Sequence, residues 1–544
     1  MTATPTPLLD VADLRVGFGD QEVVRGVSLR ILPGECVAIV GESGSGKSVT
    51  ARALLGMAGA NARTSAHHLR LRGRELGAAT EREWRGVRGR DAGLILQDAL
   101  VSLDPLRPIG REIEDPLRLH GRMPPAERRA RVLGLLAEVG MPDPALAARQ
   151  RSGELSGGLR QRALIAAALA LDPPLLIADE PTTALDVSVQ ARILALLADI
   201  RSRGTGLLLI SHDLAVVGGL ADRILVMRDG VFVEEGTRDE VLGAPTTVYA
   251  QQLIAAVPSG TPRGVPLVVA DREREPGVDA AASVDGSDTA APPAGPALLR
   301  LDGVSKAYRR PDGVSFRAVD EVSLALHPGE TLGLVGESGS GKTTVARLAL
   351  ALEAPDTGEV ILDGAPWSRM GERARRPLRH RIGAVYQDAL SSFDPRWSVG
   401  RILGDALPVR SGPGVAELLD QVGLAASVAL RRPLTLSGGQ RQRVSIARAL
   451  AASPEILICD EPVSALDVTI QAQILDLIDG IQRERGLACL FISHDLAVVR
   501  HMSDRVAVMR AGRILESGDA ERVFADPEHP YTAQLVADSP RLVR

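Results

Sequence analysis

The sequence predicts an α/β protein that contains the same domain twice in tandem. Five blocks of sequence occur in both halves of the chain in the same order, beginning with GESGSGKS at 41–48 and GESGSGKT at 336–343. The other four pairs lie at 96–105 and 386–395, 155–162 and 436–443, 178–190 and 459–471, and 210–217 and 492–499. Within each half, short apolar runs alternate with helical segments, which is typical of a parallel sheet covered by helices. Five blocks in one order predict a duplicated domain of about 245 residues.

The hydrophobic pattern of the first copy predicts its elements in order. The stretch up to about residue 32 alternates apolar and polar residues, which predicts antiparallel strands. Apolar runs at 35–40, 175–179 and 207–211 are each followed by a helical segment, which predicts buried parallel strands. Residues 105–153 carry helical periodicity and predict a separate helical insert. The second copy repeats this plan.

A change in composition separates the two copies. We expect the first domain at 8–256, a linker at 257–297, and the second domain with a C-terminal extension at 298–541. The linker is rich in Pro, Gly, Ala, Ser and Asp and has little apolar periodicity, which predicts a flexible coil. Such a coil spans on the order of 35 Å, enough for two domains to face each other.

Composition and charge exclude several classes of protein. The chain has 63 basic and 68 acidic residues, and its net charge of −5 gives no electrostatic footprint for nucleic acid and no polybasic membrane anchor. Aromatic residues make up 2%, too few for a base-stacking surface. No apolar run approaches a membrane span, and the N-terminus lacks the pattern of a signal peptide. We therefore expect a cytosolic protein that binds no nucleic acid.

Cysteine and lysine are both rare in this chain. The cysteines lie in strand-like runs without metal-site spacing, so we expect buried, reduced thiols at Cys36, Cys459 and Cys489. Arginine supplies nearly all of the basic residues, and the lysines are Lys47, Lys306 and Lys342. Arginine replaces lysine on most surfaces but not where a compact ammonium is needed. Two of these lysines lie in the phosphate-binding motif described next.

Each copy contains a phosphate-binding loop between a predicted strand and a predicted helix. The motif is Gly-x4-Gly-Lys-Ser/Thr, in which backbone N–H groups surround phosphates, the lysine reaches the β- and γ-phosphates, and the hydroxyl binds Mg²⁺. The predicted nucleotide-binding residues are Gly41, Ser43, Gly44, Ser45, Gly46, Lys47, Ser48 and Val49 in the first loop, and Gly336, Ser338, Gly339, Ser340, Gly341, Lys342, Thr343 and Thr344 in the second. Two loops in equivalent positions exclude a chance match.

An Asp-Glu pair ends the same apolar run in each copy. Asp179 and Asp460 suit Mg²⁺ coordination at the carboxyl ends of parallel strands, together with Ser48 and Thr343. The adjacent Glu180 and Glu461 are candidates to orient and deprotonate the attacking water. The pattern predicts Mg²⁺-dependent hydrolysis of a bound nucleoside triphosphate at two sites.

The order of the motifs resembles that of the ATP-binding cassette (ABC) ATPase domain. In each copy LSGG is followed by RQR, a DEP block, an ALD block, and a histidine after an apolar strand. The resemblance covers both halves and implies a RecA-like α/β core with an antiparallel β-subdomain and a helical subdomain. It further implies that the two domains of this chain pair head to tail and hold two ATP molecules with Mg²⁺ between them.

The resemblance also implies a role for individual residues. Gln97 and Gln387 correspond to the Q-loop glutamines, which contact Mg²⁺ and water, and His212 and His494 correspond to the switch histidines. The residues implied to cap the γ-phosphate held by the opposite domain are Ser156, Gly157 and Gly158, and Ser437, Gly438 and Gly439. The D-loop residues are Asp186 and Asp467, and the aromatic residues placed to stack on adenine are Phe18 and Tyr308.

Three further features resemble the importers of oligopeptides, dipeptides and related solutes such as nickel or glutathione. They are the phrases QDALVSLDP and QDALSSFDP, the block SALDVTIQAQIL, and the tail PEHPYTAQLVADSP at 527–540. The first copy's equivalent of that tail, APTTVYAQQLIAAVP, keeps only the tyrosine and the helix. This resemblance implies a peripheral subunit at the cytoplasmic face of the membrane. Its partners would be two membrane permease subunits, docked near 97–115 and 387–403, and an extracytoplasmic binding protein.

The transported solute stays open, because an ATPase subunit does not touch it. Peptides are the main expectation, and nickel, glutathione or another small solute is the alternative. A function of a different class is a soluble tandem ABC ATPase that acts on ribosomes, but the acidic Pro/Gly/Ala-rich linker and the HPYT block favour transport. An exporter would need membrane spans, and a DNA-repair ABC ATPase would need zinc modules or a coiled-coil insert. The sequence pattern predicts none of these features, so we expect neither class.

Overall fold

The chain divides into two compact units, each with its own core. The structure, a computed structural model, describes residues 6–97, 102–121, 123–183, 185–268, 295–309, 313, 315–408, 414–464, 466–540 and 542. One unit comprises Met1–Ile254 with Pro540–Arg544, and the other comprises Ala255–Ser539.

The first unit contains both of the predicted element types. Its strands are β1 (Leu9–Phe18), β2 (Gln21–Ile31), β3 (Cys36–Val40), β4 (Ala62–Ser65), β5 (His68–Leu71), β6 (Arg74–Glu75), β7 (Ala92–Ile95), β8 (Leu175–Asp179), β9 (Gly206–Ile210), β10 (Arg223–Arg228) and β11 (Val231–Thr237). Its helices are α1 (Lys47–Ala53), α2 (Glu81–Val87), α3 (Ile109–His120), α4 (Pro125–Glu138), α5 (Pro144–Ala147), α6 (Gly157–Ala168), α7 (Val187–Ser202), α8 (Leu214–Leu220), α9 (Arg238–Gly243) and α10 (Val248–Ala255).

Two sheets organise the first unit. The central sheet has the order β11-β10-β3-β9-β8-β7, and its strands are parallel except for the pair β10–β11. A second, antiparallel sheet contains β2-β1-β5-β6, with β4 also paired to β1. Every residue of β3, β8 and β9 is buried, as continuous apolar strands covered on both faces require. Helices α3 to α5 confirm the predicted helical insert.

The second unit repeats this plan. Its strands are β12 (Leu299–Arg309), β13 (Ser315–Leu326), β14 (Thr331–Val335), β15 (Thr357–Leu362), β16 (Ile382–Val385), β17 (Ile456–Asp460), β18 (Ala488–Ile492), β19 (Arg505–Arg510) and β20 (Arg513–Asp519). Its helices are α11 (Lys342–Ala349), α12 (Glu372–Arg375), α13 (Val399–Ala406), α14 (Val415–Gln421), α15 (Gly438–Leu450), α16 (Val468–Arg485), α17 (Leu496–Met502), α18 (Ala520–Ala525) and α19 (Pro530–Asp538). The central sheet is β16-β17-β18-β14-β19-β20, and β13-β12-β15 form the antiparallel sheet.

Residues 257–268, the start of the predicted linker, make specific contacts with the second unit. This segment belongs to the second unit, and its Leu267 side chain is only 2% exposed. The N–H groups of Leu267 and Val268 donate to the two carboxylate oxygens of Asp476, each at 2.9 Å. The remaining linker residues from 269 to 294 lie outside the described part of the chain. We call residues 261–268 the strap.

Arg263 anchors the strap because the second unit offers an acidic slot for its guanidinium. Arg263 forms an ion pair with Asp504 and donates to Thr331 Oγ1 and Gln482 Oε1, both at 3.2 Å. Asp479 contributes a second carboxylate at 3.8 Å. Because Thr331 is the first residue of β14, the slot lies at the start of the strand that leads to the second phosphate-binding loop.

The first unit has different side chains at the positions that correspond to the acidic slot around Arg263. Helix α7 carries Ala195 and Ala198 where α16 carries Asp476 and Asp479, and it carries an arginine, Arg201, in the position of Gln482. Arg201 donates to the carbonyl of Leu220 at 2.6 Å and lies 3.4 Å from Asp222, the counterpart of Asp504. The first unit therefore supplies this cation from its own helix, whereas in the second unit the strap supplies it. A single-sequence pattern does not reveal that exchange.

Two further expectations concern the thiols and the membrane. Cys36, Cys459 and Cys489 are free and buried, which confirms the predicted burial. Across the described ranges, no helix is both long enough and apolar enough to cross a membrane.

Candidate active site

The first phosphate-binding loop runs from the end of β3 to the start of α1. Gly41 has a φ of 149°, and a Cβ there would lie 2.1 Å from the carbonyl oxygen of Met227 on β10. The second loop has the same close approach, 2.1 Å between a Cβ on Gly336 and the carbonyl oxygen of Met509. Only glycine fits here, because the neighbouring strand occupies the space of any side chain.

The loop lysines are buried among carbonyl oxygens. Lys47 Nζ donates to the carbonyls of Gly41 and Glu42 at 2.7 and 2.8 Å. In the second unit Lys342 Nζ donates to the carbonyls of Gly336 and Glu337 at 2.7 and 3.0 Å. An ammonium held in this way lies within the loop that is predicted to hold the phosphates.

Buried polar atoms at the loops fit a nucleotide and a metal ion. Ser45 Oγ and Ser340 Oγ are buried and have no hydrogen-bond partner within the described residues, which suits contact with phosphate oxygens. Asp179 is fully buried, and its Oδ1 accepts from Ser48 Oγ at 2.9 Å, whereas its Oδ2 has no partner in the described part of the chain. A hydroxyl beside such a carboxylate fits Mg²⁺. Burial raises the pKa of Asp179, against the bond from Ser48, and a cation at Oδ2 would offset that cost.

Glu180 lies at the centre of a hydrogen-bonded cluster. Gln97 Nε2 donates to its Oε2 at 2.8 Å, and His212 Nδ1 lies 3.3 Å from its Oε1. Burial acts to raise the pKa of Glu180, but the hydrogen bond and charge of His212 outweigh it and lower the pKa overall. Burial likewise acts to lower the pKa of His212, and Glu180 outweighs it in the opposite direction. The carboxylate is therefore held ionised, as a general base must be.

The backbone is strained at Glu180 and at its counterpart Glu461. Glu180 has a φ of 50° and Glu461 a φ of 49°, in the left-handed region that residues other than glycine rarely adopt. The N–H of Glu180 donates to the carbonyl of Ile210 on β9 at 2.9 Å, and that of Glu461 donates to Ile492 on β18 at 2.9 Å. The neighbouring strand thus holds a conformation that costs about 1–3 kcal/mol and that is common at functional sites.

The second unit reproduces the cluster with one looser contact. Gln387 Nε2 donates to Glu461 at 3.0 Å, and His494 Nδ1 lies 3.3 Å from the same carboxylate. Thr343 Oγ1 donates to Asp460 at 3.4 Å, a longer distance than in the serine-aspartate pair of the first unit. Each unit therefore brings together its predicted metal-binding, glutamine, glutamate and histidine side chains.

The residues of the LSGG signature motif, which the family resemblance implies to cap a γ-phosphate, lie together with the D-loop residues at the starts of two packed helices. Ser156 caps α6 by accepting from the N–H of Leu159, and Asp186 caps α7 by accepting from the N–H of Val189 at 2.9 Å. A Cβ on Gly158 would lie 2.5 Å from Val189 Cγ1, so the two helices can approach only with glycine there. Ser437, Gly439 and Asp467 have the same arrangement on α15 and α16.

The predicted adenine-stacking residues lie at the ends of the first strands of the units. Phe18 is the last residue of β1 and packs, partly buried, against the core of its unit. Tyr308 hydrogen-bonds through its hydroxyl to Glu353, and its ring centroid is 5.9 Å from that of Phe316, which is 40% exposed. Sequence reasoning missed Phe316, although the alternation along β13 could have indicated it. The adenine-binding role of these residues stays a prediction.

Sequence reasoning also missed two tyrosines next to the phosphate-binding loops. The hydroxyl of Tyr249 accepts from the N–H of Glu42 at 3.1 Å, and that of Tyr531 accepts from Glu337 at 3.4 Å. The sequence did carry a signal for them. Of the four residues of HPYT at 529–532, the first copy keeps only the tyrosine, as Tyr249.

Fold and site together define the class of protein. Each unit joins a phosphate-binding loop, a serine or threonine paired with an aspartate, a glutamate-histidine pair and a helix that begins with the glycines of LSGG. That combination defines an ABC-type ATPase, present twice. The family model of the ABC transporter matches residues 24–183 and 319–464, and that of the oligopeptide/dipeptide transporter C-terminal region matches 515–544.

Curated relatives extend over nearly the whole chain. The Glutathione import ATP-binding protein GsiA of Salmonella choleraesuis is 43% identical, with 98% of this chain and 89% of the relative covered. The Peptidoglycan transport ATP-binding protein YejF of Agrobacterium fabrum is 42% identical, with 98% and 96% covered. The chain belongs to the ATP-binding proteins of the ABC transporter family and is a transport ATPase, which confirms the predicted α/β fold with tandem ABC domains.

One solved structure is similar to nearly the whole chain at the level of fold. It is an archaeal ribosome recycling factor, aABCE1, in complex with the ribosomal stalk protein aP1, with a TM-score of 0.62 and 22% identity. It covers 95% of this chain, and 92% of that chain is matched. At this identity the likeness concerns the fold alone and carries no inference about ribosomes.

Proposed function

We propose that this chain is the ATP-hydrolysing subunit of an importer that takes up peptides through membrane partner subunits. The observation that carries the proposal is the match of residues 515–544 to the oligopeptide/dipeptide transporter C-terminal region, which the ABC domains alone would not require. The relatives named for glutathione import and peptidoglycan transport support peptide-like solutes. Nickel or another small solute stays the alternative cargo for the same machine.

The residues of each unit suit hydrolysis of ATP with Mg²⁺. In the first unit Lys47 would bind the β- and γ-phosphates, and Ser48 and Asp179 would hold the metal. A Mg²⁺ ion held by these two residues would supply positive charge beside the phosphate groups. Glu180 would orient the attacking water and accept its proton, and His212 would hold that carboxylate in place. The second unit would use its corresponding residues in the same way.

We propose further that the two units pair head to tail within one chain. The serine and glycines of the LSGG motif lie at the start of α6 and of α15, and in this pairing they would cap the γ-phosphate of the other unit's ATP. One site would then combine Lys47 and Glu180 with Ser437–Gly439, and the other Lys342 and Glu461 with Ser156–Gly158.

The partners follow from the proposed transport function. Two permease subunits would dock on the helical inserts, near 97–115 and 387–403, and an extracytoplasmic binding protein would deliver the solute. The chain would then lie at the cytoplasmic face of the membrane as a peripheral subunit. ATP-driven closure of the paired units, hydrolysis and reopening would move the permeases.

Uptake and nucleotide binding test this function separately. Cells whose importer carries Glu180→Gln with Glu461→Gln should lose uptake of labelled dipeptides or glutathione, whereas uptake by an unrelated transporter should not change. Calorimetry on the same purified variant should give two ATP per chain in the presence of Mg²⁺. Lys47→Ala and Lys342→Ala should each remove one of them. Normal uptake in the double variant would contradict the proposed function, and a single ATP per chain would contradict the two sites.

A further inference from the structure

The second helix after the last strand of each unit contacts the phosphate-binding loop through a tyrosine. Tyr249 on α10 is 7% exposed and Tyr531 on α19 is 4% exposed. Their hydroxyl oxygens accept from the N–H groups of Glu42 and Glu337, the second residues of the two loops. The ATPase chemistry described above assigns no role to these two helices.

The residue that binds the tyrosine also binds the loop lysine. The carbonyl of Glu42 accepts from Lys47 Nζ at 2.8 Å, while its N–H donates to Tyr249 at 3.1 Å. In the second unit Glu337 accepts from Lys342 Nζ at 3.0 Å. One residue therefore links the tyrosine hydroxyl to the ammonium that would reach the phosphates.

Each tyrosine ring is fixed by the same strand that contacts the loop. The Arg228 guanidinium lies 4.8 Å from the centroid of the Tyr249 ring, and Arg510 lies 4.5 Å from that of Tyr531. Arg228 directly follows Met227, whose carbonyl oxygen excludes a side chain at Gly41. Strand end, loop and tyrosine thus form one packed group, with the ring held by a cation–π contact.

A carboxylate anchors the start of the helix in both units although the sequences there differ. Glu516 on β20 accepts from the N–H groups of Glu528 and His529 at 2.8 and 3.1 Å. In the first unit, which lacks His-Pro, Glu234 on β11 accepts from the N–H groups of two threonines at 2.7 and 2.9 Å. Two different sequences therefore place a tyrosine in the same position relative to the loop.

We propose that Tyr249 and Tyr531 are positioning residues for the phosphate-binding loops. Each hydroxyl fixes the Glu42 or Glu337 peptide, so that the lysine and the loop N–H groups are arranged for ATP before it binds. This assigns a role in nucleotide binding to the helix that carries the HPYT block. The inference rests on the proposed function, because it requires that these loops bind ATP.

The size of the effect follows from the bond that is lost. Tyr249→Phe keeps the ring and its contact with Arg228 but leaves the N–H of Glu42 without this acceptor. One such hydrogen bond corresponds to about a fivefold change in an equilibrium constant. The longer distance at Tyr531, 3.4 Å against 3.1 Å, predicts a smaller effect in the second unit.

The test measures ATP affinity with Mg²⁺ by calorimetry on the full chain. Lys342→Ala serves as the background, so that the first loop is the competent one. Tyr249→Phe should weaken ATP binding about fivefold and lower the melting temperature much less than Tyr249→Ala does. Tyr249→Ala should weaken binding and lower the melting temperature, because it also removes the buried ring. Val248→Ala is the matched control, since that neighbour on α10 is 65% exposed, and it should change neither quantity.

Two further variants make every outcome decisive. If Tyr249→Phe binds ATP normally while Lys47→Ala in the same background loses binding, the tyrosine has no positioning role and the proposed function stands. If Lys47→Ala leaves binding unchanged, the loop assignment and the inference both fail. If Tyr249→Phe lowers the melting temperature as much as Tyr249→Ala does, the hydroxyl is structural and the inference is wrong. Tyr531→Phe in a Lys47→Ala background repeats the test in the second unit.

Discussion

Replacing Arg263 with alanine should release the strap from the second unit. The guanidinium forms an ion pair with Asp504 and two hydrogen bonds, to Thr331 and Gln482. Its side chain is 18% exposed, so these contacts are mostly shielded from water, and the variant would remove the cation that pairs with Asp504. The Asp504 side chain is more exposed, at 36%. Because water screens an exposed charge, the ion pair contributes less stabilising free energy than a buried one would.

The loss corresponds to about 2 kcal/mol, from two hydrogen bonds to a charged donor after allowance for exposure. The opening equilibrium of the strap should therefore shift about thirtyfold toward the open form. Hydrogen–deuterium exchange reports this directly, because the amides of Leu267 and Val268 are protected by Asp476. A peptide that contains both amides should exchange about thirtyfold faster in Arg263→Ala than in the wild type.

Arg201→Ala is the matched control. Arg201 occupies the equivalent place in the first unit, where it bonds to Leu220 and Asp222, so its loss should leave exchange of the strap unchanged. Equal exchange of the strap amides in the wild type and Arg263→Ala would refute the reasoning. Fast exchange in the wild type itself would show that the linker is free along its whole length.

Two other predictions concern packing and assembly. Gly158→Ala should lower the melting temperature by several degrees, because its Cβ would lie 2.5 Å from Val189 Cγ1, whereas Gly157→Ala, whose nearest neighbour is at 3.9 Å, should not. The doubly substituted Glu180→Gln/Glu461→Gln chain should stay monomeric with and without ATP in light scattering, because a tethered partner has an effective concentration of about millimolar. An ATP-dependent doubling of mass would contradict pairing within one chain.

Local patterns were sufficient to predict the parts of the site that depend on short spacings. The glycine loops, the Asp-Glu pairs after buried strands and the helical insert each follow from residues close together in the sequence. The repeat added certainty because each motif occurs twice. The family resemblance, rather than spacing, supplied the roles of Gln97 and His212, and the structure brings both side chains to Glu180.

The features that the sequence did not reveal depend on residues far apart in the chain. The strap looked like free coil by composition, since nothing local indicates that Arg263 meets the carboxylates of Asp479 and Asp504. The contact between Tyr249 and Glu42 likewise joins residues separated by most of the first unit. Both rest on a side chain that meets its partner only after the strands have been ordered in the sheet.

The central claim, two ATP sites each shared between the two units, is tested most directly by ATPase rates of paired variants. Residues that act as one unit are strongly non-additive, because the second substitution has little left to remove. Glu180→Gln with Ser437→Arg should therefore lose little beyond the worse single variant, since both changes affect one site. Glu180→Gln with Ser156→Arg should abolish the remaining hydrolysis, because the two changes affect different sites. If Glu180 is instead non-additive with Ser156 and additive with Ser437, each unit uses its own signature and the head-to-tail account is wrong.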